Sequence, residues 1–184
     1  MSIRDQRRER VIGALVVHLA KTGLAQTTLR ELATAAGVSD RMLLYYFADK
    51  NAVLAAVMER LAGDLAATLA NALPEGAALK PAELAVRAAQ LTTSEAMRPF
   101  MRLWVQIVAA AARNEEPYAD MAQQVMGGFQ LWIESRLDPK YRDESHAMAT
   151  TILALIDGLA LIDICVGPDR VAQAVDAIGA MFDK

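Results

Sequence analysis

A catalytic reading of this 184-residue chain would have to start from its histidines, its cysteine or a serine in a nucleophile turn, and each of these fails on spacing. His18 and His146 are the only imidazoles, and neither stands at metal-ligand spacing from a Cys, Asp or Glu. His18 adjoins Leu19 on an amphipathic stretch, where a histidine packs at the edge of a core. Cys165 is the single cysteine, which excludes an intramolecular disulfide and a cysteine-rich zinc site. Ser135 and Ser145 lie in no nucleophile elbow, no glycine-rich phosphate loop occurs, and Glu115-Glu116 reads as a solvated helix connection. The residues predict no enzyme, no metal and no cofactor.

What remains is charge and its location. The 19 Lys+Arg and 22 Asp+Glu give a net charge of −3, which taken whole argues against a phosphate backbone as partner. Residues 1–50, however, hold eight basic side chains (Arg4, Arg7, Arg8, Arg10, Lys21, Arg30, Arg41, Lys50) against five acidic ones (Asp5, Glu9, Glu31, Asp40, Asp49). That local balance of +3 leaves −6 for residues 51–184. Arg4, Arg7 and Arg8 are placed to touch phosphate or the minor groove from a flexible arm.

The elements that carry these charges are helices. Ala and Leu abound, strand-like alternation is missing, and Gly and Pro fall between apolar-periodic segments. Ile12, Leu15, Val16 and Leu19 set a first helix from about Ile3 to Thr22, ended at Gly23. Thr28 and Glu31 have capping-box spacing ahead of a short helix over Leu29–Ala36. Gly37-Val38-Ser39 turns the chain, Ser39 caps a helix over Asp40–Tyr46, and Asp49 caps a longer one from Lys50 to Leu73. Beyond Pro74 the periodic segments are Pro81–Ser94, Ala96–Asn114, Pro117–Leu137, Lys140–Val166 and Pro168–Phe182. The fold class is all-α with about nine helices. Two short helices about a tight turn, with Leu32, Ala33, Ala36, Val38 and Leu43 facing one another, match a helix-turn-helix, whose second member enters the major groove of DNA.

Combined, Gly23, Thr27-Thr28-Leu29-Arg30-Glu31-Leu32-Ala33, Ala36-Gly37-Val38-Ser39, Leu43, Tyr45-Tyr46-Phe47 and Lys50 resemble the TetR family of bacterial transcriptional regulators. The resemblance implies a DNA-binding domain over residues 1–50, with its motif at about 28–47, and an effector-binding and dimerisation domain over 51–184. It implies DNA contacts from Thr28, Arg30, Ser39, Asp40, Arg41, Met42, Tyr45, Tyr46 and Lys50. Thr28 and Lys50, at helix starts, are phosphate-positioning candidates. Arg41 departs from the small residue usual there and offers a guanidinium fork to guanine O6/N7, the alternatives being a phosphate contact or a salt bridge to Asp40 or Asp49. Leu44 replaces the usual Tyr, for which Tyr45 and Tyr46 compensate. Phe47 points to the core.

One recognition helix reads few base pairs, so a homodimer on a palindromic double-stranded operator is a functional demand. The expected dimer surface is Ile152, Leu155, Ile156, Leu159, Ile162 and Val166, beside Gly158, the alternative being that this stripe only fills the chain's own core. The family resemblance implies a cavity for a small-molecule effector among the central helices, with Phe100, Met101, Trp104, Gln124, Phe129 and Trp132 as its lining and Gln106 and Gln123 interspersed. The helix from Lys50 to Leu73 would pass motion between the regions, making the chain a ligand-released repressor. A dimeric helical sensor of the same fold without DNA binding is the alternative. The apolar stretch Ala147–Gly167 is long enough to span a bilayer, but Asp157 and Asp163 would each cost about 2.5–3.5 kcal/mol there. It reads as a helix buried in protein. No secretory signal is legible, and a cytoplasmic location is expected.

Overall fold

The computed structural model describes residues 2–24 and 27–182, the side chains of 180–182 excepted. Among these residues it contains α1 (Ile3–Thr22), α2 (Leu29–Ala35), α3 (Asp40–Tyr46), α4 (Lys50–Ala72), α5 (Pro81–Thr92), α6 (Arg98–Ala111), α7 (Tyr118–Glu134), a 3-10 helix (Pro139–Glu144), α8 (Ser145–Cys165) and α9 (Pro168–Phe182). The order matches the expected nine helices. The expected eighth helix differs at its start, where Pro139–Glu144 is a 3-10 turn capped by Asp138, whose side chain accepts the Lys140 N–H at 2.9 Å.

The chain divides into two compact units, Met1–Asp64 with Arg102–Ala122, and Leu65–Met101 with Gln123–Lys184. This division by contact differs from the functional one drawn at residue 50, because α4, α6 and α7 each contribute residues to both units.

In the first unit, Val11, Ile12, Leu15 and Leu19 of α1 are buried, as are Leu32 and Ala33 of α2, Leu43 of α3, Phe47, and Val53, Leu54 and Val57 of α4. Leu15, Leu19, Leu32 and Leu43 are fully buried. Each such leucine contributes about 1.5–3 kcal/mol by burial. Gly37 takes φ +67°, which lets the Val38 N–H reach the Ala33 carbonyl at 3.0 Å and turn α2 into α3.

The second unit is built around α8. One cluster joins Leu73, Leu79, Leu84, Ala85, Ala88, Ile133, Leu137, Ala149, Ile152, Leu153 and Ile156, and another joins Ala89, Leu159, Val171, Val175 and Ile178. The loop after α4 is pinned from α7's end. Arg136 Nε donates to the Leu73 carbonyl at 2.8 Å, and Leu79 pairs with Arg136 and Asp138 through backbone bonds of 2.8 and 2.9 Å. A cation at the C-terminal end of α4 also suits its dipole.

Candidate nucleic-acid interface

The first unit presents α3 with its outer face uncovered. Ser39 caps it by accepting the Met42 N–H at 3.2 Å, and only Leu43 of its seven residues is buried. Asp40, Arg41, Met42, Leu44 and Tyr45 are exposed and Tyr46 is half-buried. Met42, Leu44 and Tyr45 are 36%, 46% and 57% exposed, a large apolar load for a two-turn surface helix. Such side chains suit thymine methyl groups, as the Arg41 fork suits guanine. The Leu44 position is thereby explained as surface rather than core.

Arg4 lies 5.0 Å over the Tyr45 ring and Arg8 5.0 Å over the Phe47 ring, while Tyr45 meets Tyr46 edge to face at 5.3 Å. This corrects the expected flexible arm. Ser2 and Asp5 form a capping box, with bonds of 2.9 and 3.1 Å, and α1 is helical from Ile3. Arg4 and Arg8 are consequently held beside α3 and its C-terminal cap rather than loose. Phe47 is buried, as expected.

Thr28 caps α2 in the expected box. Its N–H donates to Glu31 Oε2 at 2.7 Å, its hydroxyl donates to the same oxygen at 2.9 Å, and it accepts the Glu31 N–H at 3.2 Å. These bonds from Thr28 hold the Glu31 carboxyl below its ordinary value of 4.5, helped by the charges of His18 and Lys50. A phosphate at Thr28 must therefore compete with a carboxylate already in place. Arg30 is exposed on α2; Lys50 is half-buried at the start of α4, and Asp49 accepts the Ala52 N–H at 2.8 Å as that helix's cap.

The expected effector residues are brought together only in part. Phe129 and Trp132 pack with Met126 and Met148 on the larger core cluster of the second unit. Trp132 Nε1 is buried without an acceptor, and the ring is covered by the Arg136 guanidinium at 4.3 Å. Met101 is buried, Phe100 and Trp104 are half-buried. Gln124 faces solvent on the side of α7 that carries Gly127, Gly128 and Leu131, so it lines no interior in this chain. A cavity of about 290 Å³ lies among α5, α8 and α9, lined by Gln90, Thr93, Asp163, Val171, Val175 and Asp176. None of the six expected residues reaches it.

The expected dimer stripe is divided between the chain's interior and its surface. Ile152, Ile156 and Leu159 are 4–7% exposed and point into the chain's own clusters, and Leu155 is half-buried between them. Ile152, Ile156 and Leu159 thus have little surface left to give to a partner. Ile162 and Val166 are exposed at 39% and 64%. The outward face of α8 carries Thr151, Ala154, Leu161 and Cys165, with half-buried Gly158 along it. Periodicity missed this face because α8 is apolar around its whole circumference.

Residues 13–57 match a family model described as bacterial regulatory proteins, tetR family. The chain is similar to the HTH-type transcriptional regulator BetI of Paraburkholderia phymatum, 31% identical over 167 residues that cover 88% of this chain and 83% of that protein. It is 27% identical to BetI of Escherichia coli K12 over 172 residues, covering 88% and 84%. Among solved structures, a TetR-family regulator of Cytophaga hutchinsonii superposes with a TM-score of 0.78 at 16% identity, covering 98% of this chain and 96% of that one. A transcriptional regulator of Saccharomonospora viridis in complex with choline superposes with a TM-score of 0.71 at 18% identity, covering 94% and 95%.

Proposed function

The chain belongs to the TetR family of DNA-binding transcriptional regulators, and from that premise we propose that it is a cytoplasmic repressor that grips a palindromic operator as a homodimer and lets go when a small molecule binds its body. The observation that carries the DNA side is the uncovered face of α3, with Arg41, Met42, Leu44 and Tyr45 exposed and Arg4 stacked on Tyr45. Base contacts come from this face, and Arg30, Lys50 and the α1 arginines supply phosphate contacts around it. The acidic remainder of the chain keeps non-specific DNA contact to the head.

Titrating DNA binding at a series of salt concentrations tests this. Each neutralised phosphate adds roughly −0.9 to the log–log slope, so a clearly negative slope is expected. A slope near zero would favour a dimeric sensor of the same fold that does not bind DNA. On the preferred sequence, Arg41→Ala should relax base preference at one position and cost about 1–3 kcal/mol. Competition binding against single-base variants checks it, and an equal loss on every sequence would reassign Arg41 to a phosphate.

The two copies meet, in this reading, through the outward face of α8 at Ala154, Gly158, Leu161, Ile162 and Cys165, flanked by half-buried Asp157, where the small residues permit close helix approach. Release is a population shift, in which the effector favours a placement of the two heads that no longer fits operator spacing. α4, which begins at Lys50 beside the head and ends where Arg136 holds Leu73, belongs to both regions.

Trp132 Nε1, buried and without an acceptor, supports an effector that brings a hydrogen-bond acceptor to it. Choline, bound in the Saccharomonospora viridis neighbour, has a hydroxyl oxygen of that kind and is the first probe. Trp132→Phe removes a donor that has no partner, so the thermal midpoint is expected to hold or rise while effector binding weakens by about 1–3 kcal/mol. Thermal unfolding together with operator release by choline reads both. A variant that is destabilised yet releases normally would make Trp132 a packing residue.

A further inference from the structure

The turn between α1 and α2 is held by a side chain far along the sequence. Gln106 of α6 accepts the Leu24 N–H on Oε1 at 2.7 Å. From the other side, the Leu24 carbonyl accepts the Thr27 hydroxyl at 3.0 Å and the Thr27 N–H at 3.4 Å. Thr27 is buried and adjoins Thr28, the cap of α2. The peptide units around Leu24 are thus gripped at donor and acceptor alike.

Gly23 makes the approach possible. A Cβ there would stand 2.7 Å from Gln106 Oε1 and 2.8 Å from Nε2, and its φ of +76° is one that other residues rarely adopt. Two independent requirements, backbone conformation and room for an amide, therefore meet at one glycine. The Gln106 Nε2 also reaches the Arg102 carbonyl one turn back on α6, at 3.4 Å.

We propose that Gln106 is a positioning residue for DNA binding, acting through the Leu24 amide to set the turn from which α2, and with it α3, takes its position. Gln106 lies well outside residues 13–57 that match the family model. Its chemistry is specific. An acceptor at this position replaces the helical carbonyl partner that Leu24 has lost by leaving α1, and an aliphatic side chain of similar length supplies none.

This inference rests on the DNA-binding reading above. The test compares Gln106→Leu, Gln106→Glu and the wild-type chain, each full length, on DNA selected by the wild type from random sequence. Operator affinity, the exchange rate of the Leu24 amide and the thermal midpoint are read together. One neutral hydrogen bond corresponds to about a 3–10-fold change in an equilibrium constant. Gln106→Leu is expected to weaken operator binding by about that factor and to speed Leu24 exchange, with dimerisation and the thermal midpoint close to wild type. Gln106→Glu, whose carboxylate can accept the same N–H, should restore both. Gln106→Ala replaces the leucine variant if that one does not fold. Wild-type affinity in Gln106→Leu, or equal loss in the leucine and glutamate variants, would overturn the proposal. A wild-type chain that selects no DNA would instead overturn the DNA-binding reading and this inference with it.

Discussion

Leu161→Arg is expected to leave a folded monomer that no longer binds operator at concentrations where the wild-type chain is saturated. Leu161 is 47% exposed on the outward face of α8, one turn from Gly158 and beside Ile162 and Cys165. In a two-fold interface each substituted side chain is introduced twice, close to the axis and close to its own copy. Two like charges brought together in an apolar contact cost several kcal/mol, enough to lower dimer affinity by on the order of a hundredfold or more. The chain's own core is spared, since the buried side of α8 is formed by Ala149, Ile152, Leu153, Ile156, Leu159, Ala160 and Asp163. Sedimentation velocity should show the monomer, and far-ultraviolet circular dichroism an unchanged helix content. Cys165, the only thiol, gives an internal check, because a bismaleimide should join wild-type copies through it and fail to join the variant. A variant that stays dimeric with full operator binding would move the interface off this face.

The second large effect is on stability, and its asymmetry is the informative part. Arg98, the first residue of α6, grips Asp163 with Nε to Oδ2 at 2.7 Å and Nη2 to Oδ1 at 3.1 Å. Asp163 is 4% exposed on the inward side of α8, whereas the Arg98 side chain keeps 24% of its surface open. Arg98→Ala strands a buried carboxylate, so a clear drop of several degrees in the thermal midpoint is expected. Asp163→Asn leaves a neutral amide with one acceptor, and the freed guanidinium can turn to water, so its loss should be clearly smaller. Adding Asp163→Asn to Arg98→Ala should recover part of the loss. Urea unfolding of the three variants decides it, and a milder effect for Arg98→Ala than for Asp163→Asn would show that the pair is not held together by burial of the acid.

These two sites show what could be read ahead of the fold. The head was legible because its signals are short-range: Thr28 and Glu31 three apart, Gly37 where φ is positive, Ser39 and Asp49 at helix starts. Ser2 and Asp5 carry the same spacing, and reading them would have replaced the loose arm with a capped α1. The face of α8 was not legible, since its apolar residues occupy both sides and only the folded chain decides that Ile152, Ile156 and Leu159 go inward. Its better marker was the small-residue run Thr151, Ala154 and Gly158. Asp163 lies on the buried side of α8, and its partner Arg98 is 65 residues away. Gln106 was hidden for the same reason. Its partner is a backbone N–H 82 residues distant, and nothing in its side-chain type distinguishes it from Gln123 or Gln124.

The most direct test of the whole account is selection of bound sequences from random double-stranded DNA by the full-length chain. Enrichment of two inverted half-sites, with centres about one helical turn or a multiple of it apart, is the expected result, since two copies of α3 related by a two-fold axis impose that spacing. Enrichment of a single unrepeated half-site, or of no sequence at all, would contradict it.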